Sequence, residues 1–425
     1  MDISLQILLF VAVLILLAKA AGGLCHRINM PLVLGELLAG VILGPTLLDI
    51  WQFSWFANTK AVAGVHPISL PAAVHVLAQI GVVILMFLAG LGTDTELMKA
   101  TAAPAFWAAT GGVLLPLAGG AALVHGLGFG WTESVFVGTV LTATSVSITA
   151  QTLMNMNRLK SKAGTTILGA AVIDDVLGLI VLSIVIAVEF RHAHAGGSVW
   201  SGAGLVVGRI LVFCGLAFLL GPRLIKWAFR YAKHFKGPHT AVAVALGIAF
   251  LFAFAAEAGG GMAAITGSYL AGVFMATNPA RSEVIEEIRS MSNALFGPLF
   301  FCSVGLEINA WDLSGKLNLF LVVMAIAIVG KVIGCGVGAL SQGFSRRESL
   351  VVGVGMIPRG EVGLITASIG WAAGVIRGDI YSLLVIVVLA TTLITPVLLK
   401  STMPARPENG AVQEPALMTE MAEGS

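Results

Sequence analysis

The sequence predicts an all-α polytopic membrane protein with about thirteen transmembrane helices. Its composition is the first reason: 57% of the 425 residues are hydrophobic, 11% are charged, and the mean hydropathy is +0.96. Soluble domains carry about 25% charged residues, so a large soluble core is excluded. The second reason is that apolar runs of spanning length, separated by Gly, Pro or charged breaks, recur along the chain. The third is the alternation of basic connections described below.

The individual spans follow from where each apolar run is interrupted. In chain order, the predicted spans are 3–22, 31–48, 72–91, 103–126, 132–155, 163–189, 203–231, 239–256, 262–277, 289–308, 318–340, 348–371 and 379–401. The segment 401–425, rich in Pro, Glu and Ala, is predicted to be a disordered tail.

Lys and Arg are unevenly divided between the two sets of connections. Sixteen of the 24 basic residues lie in one set, whereas the other set holds only Lys60, Arg191, Lys316 and Arg377. Because basic connections stay on the cytoplasmic side, the N-terminus is predicted to face outwards and the C-terminus to be cytoplasmic.

Two short matches indicate an internal repeat. The stretch Gly35–Val41, GELLAGV, resembles Gly267–Val273, GSYLAGV, and Ala89–Leu91 at the end of the third span resembles Val304–Leu306 at the end of the tenth. Both matches pair spans that are seven apart. Since seven is odd, the two copies cross the membrane in opposite directions, as inverted repeats do.

The fifth and twelfth spans form the next pair at this offset, and both are interrupted. The fifth contains the hydroxyl-rich stretch 141–147, LTATSVS, whose side chains compete for backbone hydrogen bonds. The twelfth contains 355–361, GMIPRGE, where Pro removes a helix bond. Interrupted helices at matching positions of inverted repeats indicate an ion site at the middle of the membrane; two ordinary kinks are the alternative.

Asp174 and Asp175 lie in the middle of the apolar run 163–188. At 1.5 Å per residue they are roughly 15–18 Å from its start, near the bilayer midplane. A carboxylate at that depth costs roughly 2.5–3.5 kcal/mol, and neighbouring carboxylates repel each other. Ion or proton handling explains such a pair; a structural salt bridge between two helices is the alternative.

Lys331 is at similar depth in the eleventh span, and a buried ammonium either finds a carboxylate or loses its proton. The alternative is a side chain that extends to the membrane surface. With Asp174 and Asp175 it forms a set that titrates together, in which a proton and a monovalent cation compete for the same oxygens.

The interrupted spans supply further candidate residues. Hydroxyls of Thr144 and Ser145, with carbonyls freed by the interruptions, are predicted to complete an oxygen shell for a hard cation. Arg359 and Glu361 are predicted to neutralise the ends of the broken helices.

The stretches Thr142–Ser145, Ile173–Val176 and Pro358–Gly363, together with Lys331, resemble bacterial sodium/proton antiporters of the NapA type. These belong to the second monovalent cation:proton antiporter family, and the resemblance runs from about residue 5 to residue 400. It implies a multi-pass transporter of the bacterial inner membrane that serves pH homeostasis, not an enzyme, with alternating access. The implied partners are monovalent cations, protons, membrane lipid and a second copy in a homodimer, with no nucleic acid. No cofactor is expected besides the transported Na⁺ or Li⁺ and H⁺.

The resemblance also implies an architecture and residue roles. The two broken helices would cross in an ion-translocating core of about 103–189 and 318–400, and helices of about 1–91 and 203–308 would form a dimerisation domain. Asp175 would be the main metal ligand for the cation, and Asp174, also a ligand, would pair with Lys331. An Asp at position 174, where electroneutral relatives have Asn and potassium-efflux relatives have Gln, favours electrogenic sodium exchange. Ser145 stands where related antiporters place Asp.

Three other functions are alternatives for a membrane protein with an Asp pair. A potassium/proton antiporter on the same scaffold is the main alternative. An intramembrane aspartyl protease needs two carboxylates that converge on one water, whereas adjacent residues on a helix diverge by about 100°. A passive channel needs a pore-lining ring or filter, and no such repeat is present in the sequence.

Overall fold

The computed structural model of this chain describes residues 3–28, 30–57, 69–189, 199–232, 234, 237, 239–309, 311, 316–372 and 374–403. Over these residues all regular secondary structure is helical. Within the same ranges, nine helical stretches are long and apolar enough to cross a membrane, and three shorter apolar helices accompany them. The prediction of an all-α polytopic membrane protein is therefore confirmed.

The helices follow one another with short connections. They are α1 (Ile3–Arg27), α2 (Leu32–Leu43), α3 (Ser54–Ala57), α4 (Leu70–Gly92), α5 (Thr95–Ala100), α6 (Ala102–Gly126), α7 (Trp131–Thr142), α8 (Val146–Asn155), α9 (Lys162–Glu189), α10 (Val199–Ala232), α11 (Thr240–Phe254), α12 (Ala264–Met275), α13 (Arg281–Met291), α14 (Gly297–Leu306), α15 (Leu317–Leu340), α16 (Arg346–Gly355), α17 (Gly360–Ala372) and α18 (Gly378–Thr402). Two π-helical segments, Ala255–Gly260 and Ser292–Phe296, continue α11 and join α13 to α14.

Each of the thirteen predicted spans is helical over most of its length, with shifts at some ends. The first helix ends at Arg27, five residues beyond the predicted end at residue 22. The second span stops at Leu43 and not at residue 48, because Gly44 precedes a proline and adopts an extended conformation. The tenth begins before residue 289, since α13 runs from Arg281 through the π-helical segment into α14. The fifth and twelfth spans are broken as predicted, into α7 and α8 and into α16 and α17.

The inverted repeats pack crosswise at glycines. Gly40 of α2 lies against Gly305 of α14, and Gly90 of α4 lies against Gly272 of α12. A methyl group on any of the four would overlap backbone of the facing helix, so only glycine allows this approach. Since α2 corresponds to α12 and α4 to α14 in the repeat, the two crossings are equivalent.

A second set of helices carries the broken segments. The helices α6 and α15, again seven spans apart, meet at Gly111 and Gly334, and α9 packs on α6 and on the broken helices. Apolar side chains including Ile148 of α8, Ile167 of α9 and Val352 of α16 form the core around this junction. The middle of α9, which holds Asp174 and Asp175, is thereby fixed beside both helix breaks.

Candidate functional site

The two helix breaks meet each other inside the protein. The backbone N–H of Ser145, between α7 and α8, donates a hydrogen bond of 2.7 Å to the carbonyl of Pro358, between α16 and α17. Gly360 has a φ of +49° and lies so close to Ser145 that a Cβ would overlap its side chain. The breaks therefore bring four helix ends to one place, where freed backbone groups require partners.

Arg359 satisfies part of this requirement. Its guanidinium is fully buried and donates to the carbonyl of Ala143 at 3.0 Å and to the carbonyl of Ala327 on α15. The first of these contacts sets a positive charge at the C-terminal end of α7, where the helix dipole is negative. The side chain of Glu361, the other residue predicted to compensate charge, lies outside the described residues.

Asp174 and Lys331 form an ion pair across α9 and α15. The Nζ of Lys331 lies 2.9 Å from Oδ1 of Asp174, with side-chain exposures of 0% and 1%. The absence of a side chain at Gly112 of α6 leaves space for the lysine. A Cβ there would lie 3.4 Å from Nζ and would overlap the sulfur of Cys335. Each charge is removed from water, so each depends on the other for stabilisation.

Asp175 has a different environment from its neighbour. It is half-buried, and its Oδ2 accepts a hydrogen bond from the hydroxyl of Thr266 on α12. The neighbouring Asp174 points to α15, as expected for adjacent residues about 100° apart on one helix. The two carboxylates are thus held by different parts of the molecule.

A small cavity of about 40 Å³ lies between the broken helices and α9. Asp174, Asp175, Thr144 and Thr366 line it, and the volume exceeds the roughly 10–15 Å³ that one water needs. Among the described residues, no hydrogen-bond partner is found for the buried hydroxyl of Thr144. An unsatisfied oxygen beside two carboxylates suits a hard cation or its water.

Ser145 is placed differently from Thr144. Its hydroxyl lies 3.0 Å from the hydroxyl of Ser147, and it is not among the residues that line the small cavity. Of the two predicted hydroxyl ligands, Thr144 lines the small cavity with the carboxylates and Ser145 does not.

A larger cavity of about 490 Å³ leads to Asp175 from one side of the molecule. Its walls come from the first half and the middle of α4, including Val76 and Val83, and from the end of α11, including Phe254. The exposed carboxylate of Glu257, in the π-helical segment, also lines it. Asp175 is shared by the two cavities, whereas Asp174 lines only the small one.

A third cavity, of about 470 Å³, lies at the other end of α4 and does not reach the carboxylates. It is polar and basic, with Gln151 from α8, Lys160, and Arg281 and Arg289 from α13 in its walls. Neither Asp174 nor Asp175 lines it. Access to the carboxylates is therefore from the side of the larger cavity.

Sequence reasoning missed Thr266 and Glu257. Thr266 directly precedes the stretch Gly267–Val273, and the equivalent residue in the first repeat is Leu34. The difference between a polar residue in the second repeat and an apolar residue in the first could have identified Thr266 as a functional residue. Glu257 is an acidic residue near the end of an apolar span, which is itself an indication of function.

Comparisons with known proteins agree with this architecture. A family model described as "Sodium/hydrogen exchanger, transmembrane" matches residues 11–403. The chain is 35% identical to the Na(+)/H(+)-K(+) antiporter GerN of Bacillus cereus, over 93% of this chain and 96% of the relative. It is also 35% identical to a Na(+)/H(+) antiporter of Enterococcus hirae, over 91% and 96%.

A solved structure shares the fold. The sodium proton antiporter MjNhaP1 from Methanocaldococcus jannaschii superposes with a TM-score of 0.67 over 94% of this chain and 97% of that chain. With 16% sequence identity, this likeness is evidence of the fold alone.

Proposed function

The chain belongs to the sodium/hydrogen exchanger family, and from this premise we propose that it exchanges Na⁺, or Li⁺, for protons across the membrane with Asp175 as the carrying residue. One observation supports this assignment above the others: Asp175 is the carboxylate that lines both the small cavity and the larger cavity. A cation that enters from solvent meets this oxygen first and finds the hydroxyl of Thr144 beyond it.

Exchange follows from competition for Asp175. A proton and Na⁺ use the same carboxylate oxygens, so binding of one displaces the other. Movement of α9 and the broken helices relative to α4 and α12 would then turn the site to the other side of the membrane. Coupling requires that the site moves mainly when loaded, because an unpaired carboxylate is costly to carry through an apolar interface.

The Asp174–Lys331 pair adds a second proton to this cycle. Na⁺ at Asp175 draws Asp174 towards the small cavity, which Asp174 also lines. Lys331, buried without its carboxylate, then releases its proton, since an uncompensated buried ammonium is strongly disfavoured. Two protons move for one Na⁺, and transport is electrogenic. An Asp pair with a later Lys supports the further proposal that the chain belongs to the NapA-type branch of the family.

The working parts correspond to two groups of helices. We assign about 103–189 and 318–400 to a moving core and about 1–91 and 203–308 to a scaffold that dimerises. The packing of α6 on α15 in the first group, and of α2 on α14 and α4 on α12 in the second, supports this division.

Orientation follows from the distribution of Lys and Arg. The N-terminus is outside and the C-terminus cytoplasmic, in the inner membrane of a bacterial cell. The basic cavity with Arg281 and Arg289 then faces the cytoplasm, and the larger cavity that reaches Asp175 opens outwards.

Potassium/proton exchange is a second candidate, and one observation favours it. The Bacillus cereus relative is named as an antiporter of K⁺ besides Na⁺. The two functions share the site and differ in which cation the oxygens around the small cavity accept.

The test is exchange in proteoliposomes that contain a pH-sensitive dye, scanned over Li⁺, Na⁺ and K⁺. We expect Na⁺ and Li⁺ to drive proton movement in the wild type and Asp175→Asn to abolish it, because an amide cannot exchange a proton for a cation. Glu286→Gln, at a side chain that is 73% exposed on α13, is the control and retains exchange. Near-normal exchange by Asp175→Asn would overturn the assignment, and a response to K⁺ alone would favour the second candidate.

A further inference from the structure

The hydrogen bond between Thr266 and Asp175 connects the two groups of helices at the carrying residue. Thr266 is 3% exposed and lies in the first turn of α12, in the scaffold, whereas Asp175 lies on α9, in the core. Its hydroxyl donates to Oδ2 of Asp175. If α9 moves relative to α12 during transport, this contact exists in only part of the cycle.

The inverted repeat shows that packing does not require this hydroxyl. The position of Thr266 directly before Gly267 corresponds to Leu34 directly before Gly35 in the first repeat. Both α2 and α12 make the same glycine crossing, with Gly40 against Gly305 and Gly272 against Gly90. An apolar residue therefore serves the crossing in one copy, and a hydroxyl is present only in the copy that faces Asp175.

The hydroxyl proton and a cation compete for the same oxygen. A cation at Asp175 needs a free electron pair on the carboxylate, and the hydrogen bond from Thr266 occupies one on Oδ2. Hydrogen bonds to charged oxygens are the stronger ones, so displacing this bond lowers the net affinity for the cation. The larger cavity reaches Asp175 in this same arrangement.

We propose that Thr266 is a latch that releases the cation on the side of the larger cavity, which is the outer side in the proposed orientation. In the outward-open state its hydroxyl competes with Na⁺ for Asp175, and this competition lowers the affinity for the cation. When no cation is bound, the same hydrogen bond holds α9 of the moving core against α12. A contact made in one state only shifts both the affinity and the population of that state, by linkage. Thr266 is thus a positioning residue that makes the affinity for Na⁺ lower outside than inside. The inference rests on the proposed exchange function.

The experiment compares the KM for Na⁺ on the two faces of the membrane. Right-side-out vesicles present the outer face to added Na⁺, and everted vesicles present the inner face. Thr266→Val removes the hydroxyl at nearly constant shape, and Thr266→Ser restores it. We expect the outer-face KM of Thr266→Val to fall by about tenfold, in line with the modest net strength of such a bond. The inner-face KM should fall by no more than this factor, because empty protein released from the outward-open state also becomes available to Na⁺ on the inner face. Thr266→Ser should behave as the wild type.

The alternatives give different results. An outer-face KM that rises would make Thr266 a cation ligand, and an unchanged KM would make the hydrogen bond irrelevant to binding; either overturns the latch. A fall on the inner face without a fall on the outer face also overturns it. If Thr266→Val is inactive, equilibrium binding of ²²Na⁺ to purified Thr266→Val and Thr266→Ala decides: tighter binding supports the latch and equal or weaker binding contradicts it. Absence of exchange in the wild type would instead refute the proposed function.

Discussion

Among the residues that the structure describes, two lysine–carboxylate pairs join different helices, and they differ in burial. Lys19 of α1 lies 2.9 Å from Glu36 of α2, and its side chain is 45% exposed. Lys331 lies at the same distance from Asp174, but its side chain is 0% exposed. The long side chain of Lys19 can extend towards the membrane surface if the pair opens. Lys331 has no exposed surface and depends on its carboxylate for stabilisation. Equal distances therefore occur in different environments, which is why we propose a structural role for the Lys19–Glu36 pair and a role in proton transport for the Asp174–Lys331 pair.

The largest effect on stability is expected from Asp174→Asn. This change leaves the Lys331 ammonium buried without a carboxylate, which lowers the free energy of unfolding by about 3–5 kcal/mol. Thermal unfolding in detergent measures it. The double change Asp174→Asn with Lys331→Met removes the stranded charge and should recover most of the loss. A single variant that unfolds at the wild-type temperature would show that the pair carries no such cost.

A smaller effect is expected from Glu36→Gln. Lys19 can extend towards the membrane surface once its partner is neutral. The loss should therefore be that of one hydrogen bond to a charged group, about 1–2 kcal/mol, and exchange should persist. The same unfolding assay, together with the dye assay, checks both statements. If Glu36→Gln lowers the free energy of unfolding as much as Asp174→Asn, the two pairs do not differ as proposed.

Much of the fold was accessible from the sequence because its causes are local. Apolar runs set the spans, Pro358 and the hydroxyl-rich stretch 141–147 set the breaks, and the two GxxLAGV stretches revealed the repeat. The depth of Asp174, Asp175 and Lys331 also follows from position within a run. The side-chain partners are harder, because they depend on how helices turn about their own axes.

The side-chain positions that the sequence did not determine show this limit. Ser145 and Thr144 are adjacent in an interrupted segment, and the path of the backbone directs Thr144 to the small cavity and Ser145 to Ser147. Thr266 reaches Asp175 across 91 residues because α12 packs near α9. No local pattern encodes either outcome. The domain division and the residue roles stay predictions of function, which transport measurements must test.

We propose that the fully buried Asp174–Lys331 pair carries charge during transport, and the response of exchange to the membrane potential is the sharpest test. Proteoliposomes loaded with Na⁺ are given an inside-negative potential with potassium and valinomycin, and proton entry is followed by the dye. We expect wild type and Lys19→Gln to accelerate, because two protons enter for each Na⁺ that leaves, and Lys331→Gln to exchange without responding to the potential. A wild-type flux that ignores the potential would contradict the account and leave the Asp174–Lys331 pair a structural one.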